Sequence, residues 1–259
     1  LLSAFGSAAC TTDTDQLFAT NVQTTSLATY QLNNATTSIP SNTYPGSASN
    51  ITYAAGKFGN AAVFNGSSSY INNPALFSNP HTNSVTTSLW LKTNTNDGNL
   101  RTIDDTSNIS DCYINYIING VIRFAYYGLG GTGSINGTTT ISDGNWHNIV
   151  TVIDNVNGNA KIYLDGNTTP EITHNFTANT SLRIYSGSWN IGKLSNNIRY
   201  FSGTIDQVRI FNSALPQLAI TALYNETTTT AQSASVSYQL ANPNSVAYYK
   251  MSDATDQLG

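Results

Sequence analysis

Three observations predict an all-β fold, a two-layer sandwich or a barrel, for this chain of 259 residues. The first is composition. Asn and Thr together make up about a quarter of the chain, well above ordinary usage, and only 9% of residues are charged. Amide and hydroxyl side chains compete with the backbone for hydrogen bonds, so they disfavour helix interiors and suit strand faces and turns. The second is a pair of hairpin signals. Asn119-Gly120 sits within YINYIINGVIRFAYYG and Asn157-Gly158 within NWHNIVTVIDNVNGNAKIYLDGN, each between runs of strand formers. The third is rhythm: from Ser26 onward, turn signals recur about every 8–12 residues.

The elements follow in chain order. Residues 1–25 are a mixed segment, in which TDTDQLFAT admits one or two helical turns capped by Thr12 or Asp13. In 86–94, Leu89 and Leu91 fall on one face of a strand and Trp90 on the other. In 146–153, Trp146, Asn148, Val150 and Val152 alternate with His147, Ile149, Thr151 and Ile153. Both faces are largely apolar, as in the central strand of a sandwich; the return strand covers 160–164. LRIYSGSWNIGKL and FSGTIDQVRIFNSAL supply two further strand regions. A short helix over LPQLAITALYNE has Pro216 in its first turn, with Leu218, Leu223 and Tyr224 expected to cover one edge of the core.

Charge and apolar content exclude several classes. A formal net charge of -4, with Lys and Arg scattered singly, gives no footprint for nucleic acid. No apolar run approaches the ~20 residues of a membrane helix. Cys10 and Cys112 make no disulfide framework; they are a bridge or two free thiols, and sequence does not say whether their Cβ atoms meet. The opening LLSAFGSAAC is similar to the end of a lipoprotein signal with Cys10 as the lipidated residue, but the charged n-region is missing. The first residue is Leu, which points to a processed chain or a piece of a longer one.

Five blocks in order carry a family resemblance: GKFGNAAVFNGSSSYI (56–71), TTSLWLKT (86–93), DGNWHNIVTVID (143–154), AKIYLDGN (160–167) and FSGTIDQVRIFNSAL (201–215), followed by a helix at 220–224. In this order they resemble the laminin-G-like, concanavalin A-like jelly-roll superfamily. The resemblance implies two antiparallel sheets packed as a jelly roll over 26–226, with one short C-terminal helix. Gly56, Gly59 and Gly66 are expected at tight turns with positive φ. Trp146 is expected in the core and His147 in a structural role, since no second His lies at metal-ligand spacing. Asp206, in an apolar strand, must be hydrogen-bonded or paired, with Arg209, a backbone turn or a cation as partner.

Beyond 226, a polar, low-complexity stretch (227–244) reads as a linker. SVAYYKMSDATD from Ser245 then aligns with SLATYQLNNATT from Ser26, matching Ser, Ala, Tyr, Ala and Thr in register. Residues 245–259 are therefore expected to begin a second copy of the domain.

The same superfamily contains glycoside hydrolases, which need two closely placed carboxylates. Their E-x-D-x-x-E strand is absent here, and Glu171 and Glu226 are far apart in sequence. Cys112 has no nearby His, and GLGGTG (128–133) lacks the Lys and helix of a phosphate loop. No enzyme is expected. The resemblance implies calcium at the sandwich rim; Asp97, Asp104, Asp105 and Asp111, with Asn65 and Asp206, are the candidate oxygen ligands, against a solvated acidic loop. Asn65 stands where the family has Asp, which weakens any such site. For a sugar, Tyr126 and Tyr127 in one loop and Tyr185, Trp189 and Asn190 in another are the candidates, against simple packing. Sequons such as Asn34, Asn136 and Asn175 follow from composition. Together these features point to a non-enzymatic module of an extracellular or virion surface, a fibre, capsid decoration or adhesin, assembling with further copies or repeats. It would bind glycan or a protein partner; the alternatives are a purely structural subunit and, less favoured, a hydrolase relative.

Overall fold

The computed structural model describes residues 19–39, 44–73, 84–102, 113–127, 131–179, 189–194, 199–227 and 235–241. The chain divides into two units, Leu1–Thr24 with Ser237–Gly259, and Thr25–Val236. Strand β1 (Ala19–Thr25) comes first, then β2 (Ala28–Tyr30), β3 (Ser38–Ile39), β4 (Ser47–Ser49), β5 (Thr52–Ala55) and β6 (Asn60–Asn65). They are followed by β7 (Tyr70–Asn73), β8 (Val85–Lys92), β9 (Asp97–Thr102), β10 (Tyr113–Ile118), β11 (Val121–Tyr127) and β12 (Thr132–Thr140). Next come β13 (Trp146–Asp154), β14 (Asn159–Leu164), β15 (Ile172–Asn175), β16 (Trp189–Ile191) and β17 (Ser202–Phe211). Helix α1 (Gln217–Tyr224) and β18 (Ser235–Ala241) complete the order.

In the smaller unit β1 pairs with β18 in a two-stranded sheet. The stretch read as a linker thus contains a strand. The segments expected to hold an N-terminal helical turn and a second repeat, and both cysteines, lie outside the described residues, apart from Ala19 and Thr20, which open β1.

The larger unit is the expected jelly-roll sandwich. One sheet runs β12-β11-β10-β9-β16-β7-β4; the other runs β15-β14-β13-β8-β17-β2-β3, with β6 joining β17 and β5. Leu89 and Leu91 of β8 and Ile149 and Ile153 of β13 meet Ile117, Ile122 and Phe124 of the facing sheet in the main core. A polar bond crosses that core, from Asn115 Nδ2 to Thr151 Oγ1 at 2.8 Å, which gives a buried amide one partner while its Oδ1 has none among the described residues.

Alternation sends Trp90 to the opposite face, as its sequence predicts. There it packs edge-on to Phe58 at 6.0 Å and stacks on Tyr224 of α1 at 5.5 Å. Trp146 departs from expectation: it is half-buried on this outer face beside Phe58 and Trp90, not in the main core. The residues α1 buries are Ala219, Ile220 and Leu223, while Leu218 stays exposed. An eight-residue helix has only one narrow stripe to offer, and Leu218 lies off it.

The first hairpin turn is as expected: Asn119 (φ 51°) and Gly120 (φ 80°) join Ile118 to Val121 with both central residues left-handed. The second is looser, a four-residue connection between Asp154 and Asn159 in which Gly158 (φ 67°) takes the left-handed position.

Strand β17 carries a bulge between Asp206 and Arg209, with Gln207 at φ 49°. The carboxylate of Asp206 is fully buried and accepts the backbone N–H of Phe58 at 2.9 Å. Burial pushes its pKa up to about 6 against the opposing pull of the Phe58, Gln207 and Lys57 N–H groups. Of the two protein partners expected for Asp206, a backbone turn and Arg209, the backbone is the one observed. Arg209 instead pairs with Glu226 at 2.5 Å, both buried. Gly59 (φ 73°) and Gly66 (φ 75°) hold the expected positive φ, but Gly56 does not. It is glycine for lack of room, since a Cβ there would lie 2.7 Å from Asp206 Oδ2 and 2.8 Å from the Ala61 Cβ.

Candidate functional site

Period-two alternation fixes what the seven-stranded sheet turns outward. On β10, Tyr113 and Ile117 enter the core, so Ile114 and Tyr116 face away from it. The tight Asn119-Gly120 turn then sets Tyr116 opposite Arg123 and Ile114 opposite Ala125. Ile114 and Ala125 are nearly buried, covered by Tyr116, Tyr127 and Leu194. Two guanidinium groups converge on Tyr116: Arg199 at 4.9 Å and Arg123 at 5.6 Å from the ring centre. Arg123 Nη2 also donates to Ser134 Oγ at 2.6 Å. Further along the face, Asn72 Nδ2 donates to Asn190 Oδ1 at 3.0 Å, and Lys193 Nζ stands 3.6 Å over the Tyr70 ring.

Arg199 also opens onto a hollow of about 490 Å³ lined by Thr95, Asp97, Gly98, Tyr200, Ser202 and Gly66, within the size range of small-ligand sites. Its Nη1 lies 3.6 Å from Asp97 Oδ1; both side chains are well exposed, so this pair contributes less than about 1 kcal/mol. Arg199 has φ 59°, a left-handed conformation that costs a residue with a Cβ roughly 1–2 kcal/mol. The Phe201 N–H bonds the Gly192 carbonyl at 2.8 Å, and a bridge pairs Lys193 with Tyr200 next to it. Backbone strain of this kind concentrates at binding sites.

The residues singled out by sequence are dispersed. Tyr126 turns inward, stacked on His174 at 3.7 Å, whereas Tyr127 lies on the outward face. Asn190 is on that face but buried against Asn72. Trp189 is in β16 opposite Asn73, and Tyr185 lies outside the described residues. Tyr116, Arg123 and Arg199 were not singled out by sequence, although the hairpin register makes the first two readable.

Three of the six expected calcium ligands, Asn65, Asp97 and Asp206, are described, and each has its own engagement. Asn65 Oδ1 accepts the N–H groups of Ser67, Ser68 and Ser69 at 2.9–3.0 Å, capping its own turn. Asp97 belongs to the hollow and Asp206 is sealed beneath Phe58. Asp104, Asp105 and Asp111 lie outside the described residues, and among those described no three His, Cys, Asp or Glu side chains form a metal site.

Both glutamates are committed to the fold. Glu171 accepts the N–H groups of Thr138 and Thr139, and Glu226 holds Arg209. His147 is held at both nitrogens, Nδ1 by Asp165 Oδ2 at 2.8 Å and Nε2 by Asp143 Oδ1 at 3.0 Å. Among the described residues, no helix is long and apolar enough to cross a membrane.

The family model described as the concanavalin A-like lectin/glucanases superfamily matches residues 65–221, more than half of the chain. The chain belongs to this superfamily. No curated protein sequence matches it. Among solved structures, this superfamily member is similar to domain 4 of AbnA, a GH43 extracellular arabinanase from Geobacillus stearothermophilus, in complex with arabinotriose. The two share 23% identity and a TM-score of 0.59 over 79% of this chain and 100% of that one. It is also similar to the binding domain of Paraclostridial Mosquitocidal Protein 1 (14% identity, TM-score 0.61, 82% of this chain, 52% of that one). A third likeness is to a botulinum neurotoxin type C structure whose cell entry depends on interaction with two ganglioside molecules (17% identity, TM-score 0.57, 78% of this chain, 51% of that one). The chain spans about half the length of these toxin chains. At these identities the likeness is one of fold.

Proposed function

We propose that the chain is a non-catalytic carbohydrate-recognition module of a protein displayed outside the cell or on a virion. The observation that carries this is the outward face of the seven-stranded sheet, where Tyr116, Arg123 and Arg199 meet beside a polar hollow of ligand size. A sugar needs convergent donors and acceptors around an open cleft, and Arg199, Tyr200, Asp97 and Thr95 supply both kinds there. The arabinotriose and ganglioside ligands of similar folds support a saccharide. Engagement of both glutamates in structural bonds supports the absence of hydrolysis. The likeness of Ser245–Thr255 to Ser26–Thr36 supports a repeated module, which gains avidity from several weak sites.

The test is retention on a glycan array, with Arg199→Ala and Tyr116→Ala beside the wild type. Retention on a defined set of glycans is expected, reduced about tenfold or more by either substitution. A folded chain retained by no glycan overturns the proposal.

A further inference from the structure

We infer that this face selects a carboxylated sugar, a uronate or a sialate, through the paired guanidinium groups of Arg123 and Arg199. The inference rests on the glycan reading above and names its ligand class. The protein is acidic, with a formal net charge of -4, yet its outward sheet face gathers cations. Arg123 and Arg199 lie within 5.6 Å of the same ring centre, and Lys193 stands over Tyr70 on the same face. Among the described residues Arg123 forms no ion pair; its Nη2 is given to a hydroxyl and its buried Nε has no hydrogen-bond partner. Among the described residues the ion pair of Arg199 is the loose contact to Asp97, which is 70% exposed and lies at 3.6 Å.

Two guanidinium forks with so little counter-charge suit a planar carboxylate, which they bind in two-pronged fashion. Tyr116 holds both forks in place, so little ordering remains for the ligand to impose. Because the guanidinium groups already lie over that ring, it serves as their support rather than as a stacking surface for sugar. Asp97, the acidic group of the hollow, opposes an anion at short range, and its exposure lets it turn to a sugar hydroxyl instead.

The experiment is calorimetric titration of the whole chain with two matched pairs: oligogalacturonate against its methyl ester, and sialyllactose against lactose. The acidic member of at least one pair is expected to bind about tenfold tighter or more, and the pair that shows the preference distinguishes uronate from sialate. Arg199→Gln and Arg123→Gln should each remove most of that preference, and Arg199→Lys should not restore it. Should a variant fail to fold, raising salt from about 0.05 to 0.5 M on the wild type gives the same answer, weakening only the acidic ligands. Equal affinity for acidic and neutral members overturns this inference and leaves the glycan reading standing. No binding in either pair, together with no retention on the array, overturns both.

Discussion

His147 shows how a residue can be read correctly without its reason being visible. Its sequence context gives a structural histidine on the face opposite Trp146. The structure supplies two carboxylates, one on each ring nitrogen. The Asp165 bond raises its pKa, burial lowers it, and the Asp143 bond raises it again, with a net rise above the ordinary 6.5. A raised pKa in the folded state means that the imidazolium stabilises the fold fully below about pH 6.5, and that this contribution is lost as pH rises through the higher folded value. An NMR titration of the ring is expected to show that elevated midpoint. Asp165→Asn should bring it down, since burial is then opposed only by Asp143; a midpoint indifferent to Asp165→Asn would sink the account. Asp143 is legible in the sequence, four residues before His147. Asp165 is not, because it becomes a neighbour only through the β13–β14 register that pairs Ile149 with Leu164. Arg199 is harder still: no local pattern marks an arginine that takes a positive φ.

At the scale of elements, the three early glycines separate two physical causes that the sequence blurs. Gly59 has room for a Cβ, whose nearest neighbour is Asn33 at 3.4 Å, but its φ is 73°. Gly56 has an ordinary φ and no room, because the Asp206 carboxylate and Ala61 occupy the space. Gly59→Ala should therefore cost about 1 kcal/mol of backbone strain, and Gly56→Ala about 2 kcal/mol or more through overpacking against a buried carboxylate. Urea midpoints measured side by side decide this; a neutral Gly56→Ala would show that the loop over Asp206 yields freely. Period-two alternation and the Asn119-Gly120 turn made β8, β10, β11 and β13 readable, because those signals are local. On the helix, Leu223 is buried and Tyr224 stacks on Trp90 as expected, but Leu218 is exposed, for the opposite reason. Eight residues give barely two turns, and docking on the outer face of the sheet, not the sequence period, decides which side is covered. The inward turn of Tyr126 follows from the same register that sends Arg123 and Tyr127 outward, so a hairpin read residue by residue would have found it.

For the whole molecule, the scarcity of charge makes pH a sharp probe: with 14 acidic residues and 3 histidines in 259, a few buried groups dominate the profile. Asp206 is one of them. Its folded pKa of about 6 lies above the ordinary 3.8, so the folded state binds a proton that the unfolded chain releases first. Its contribution is present below about pH 4 and lost by about pH 6, a fall on the order of 2–3 kcal/mol. Glu226, raised by burial against the pull of Arg209, tilts stability in the same direction, and His147 extends the decline above pH 6.5. On the acid side, Asp143 is held down to about 2 by the N–H and side-chain amide of Asn145 and by His147. Glu171 is lowered, despite its burial, by the Thr138 and Thr139 donors. These two add stability as pH rises toward 4, and screening keeps the exposed Asp143 contribution small. Thermal melting at fixed ionic strength should therefore peak near pH 4 and fall toward pH 6 and beyond. Asp206→Asn keeps an acceptor for the Phe58 N–H and removes the titration, so it should flatten the slope between pH 4 and 6 while leaving the decline above 6.5. A wild-type melting temperature that climbs steadily from pH 4 to 6 would mean that Asp206 is ionised without penalty, and that its neighbouring backbone N–H groups outweigh its burial.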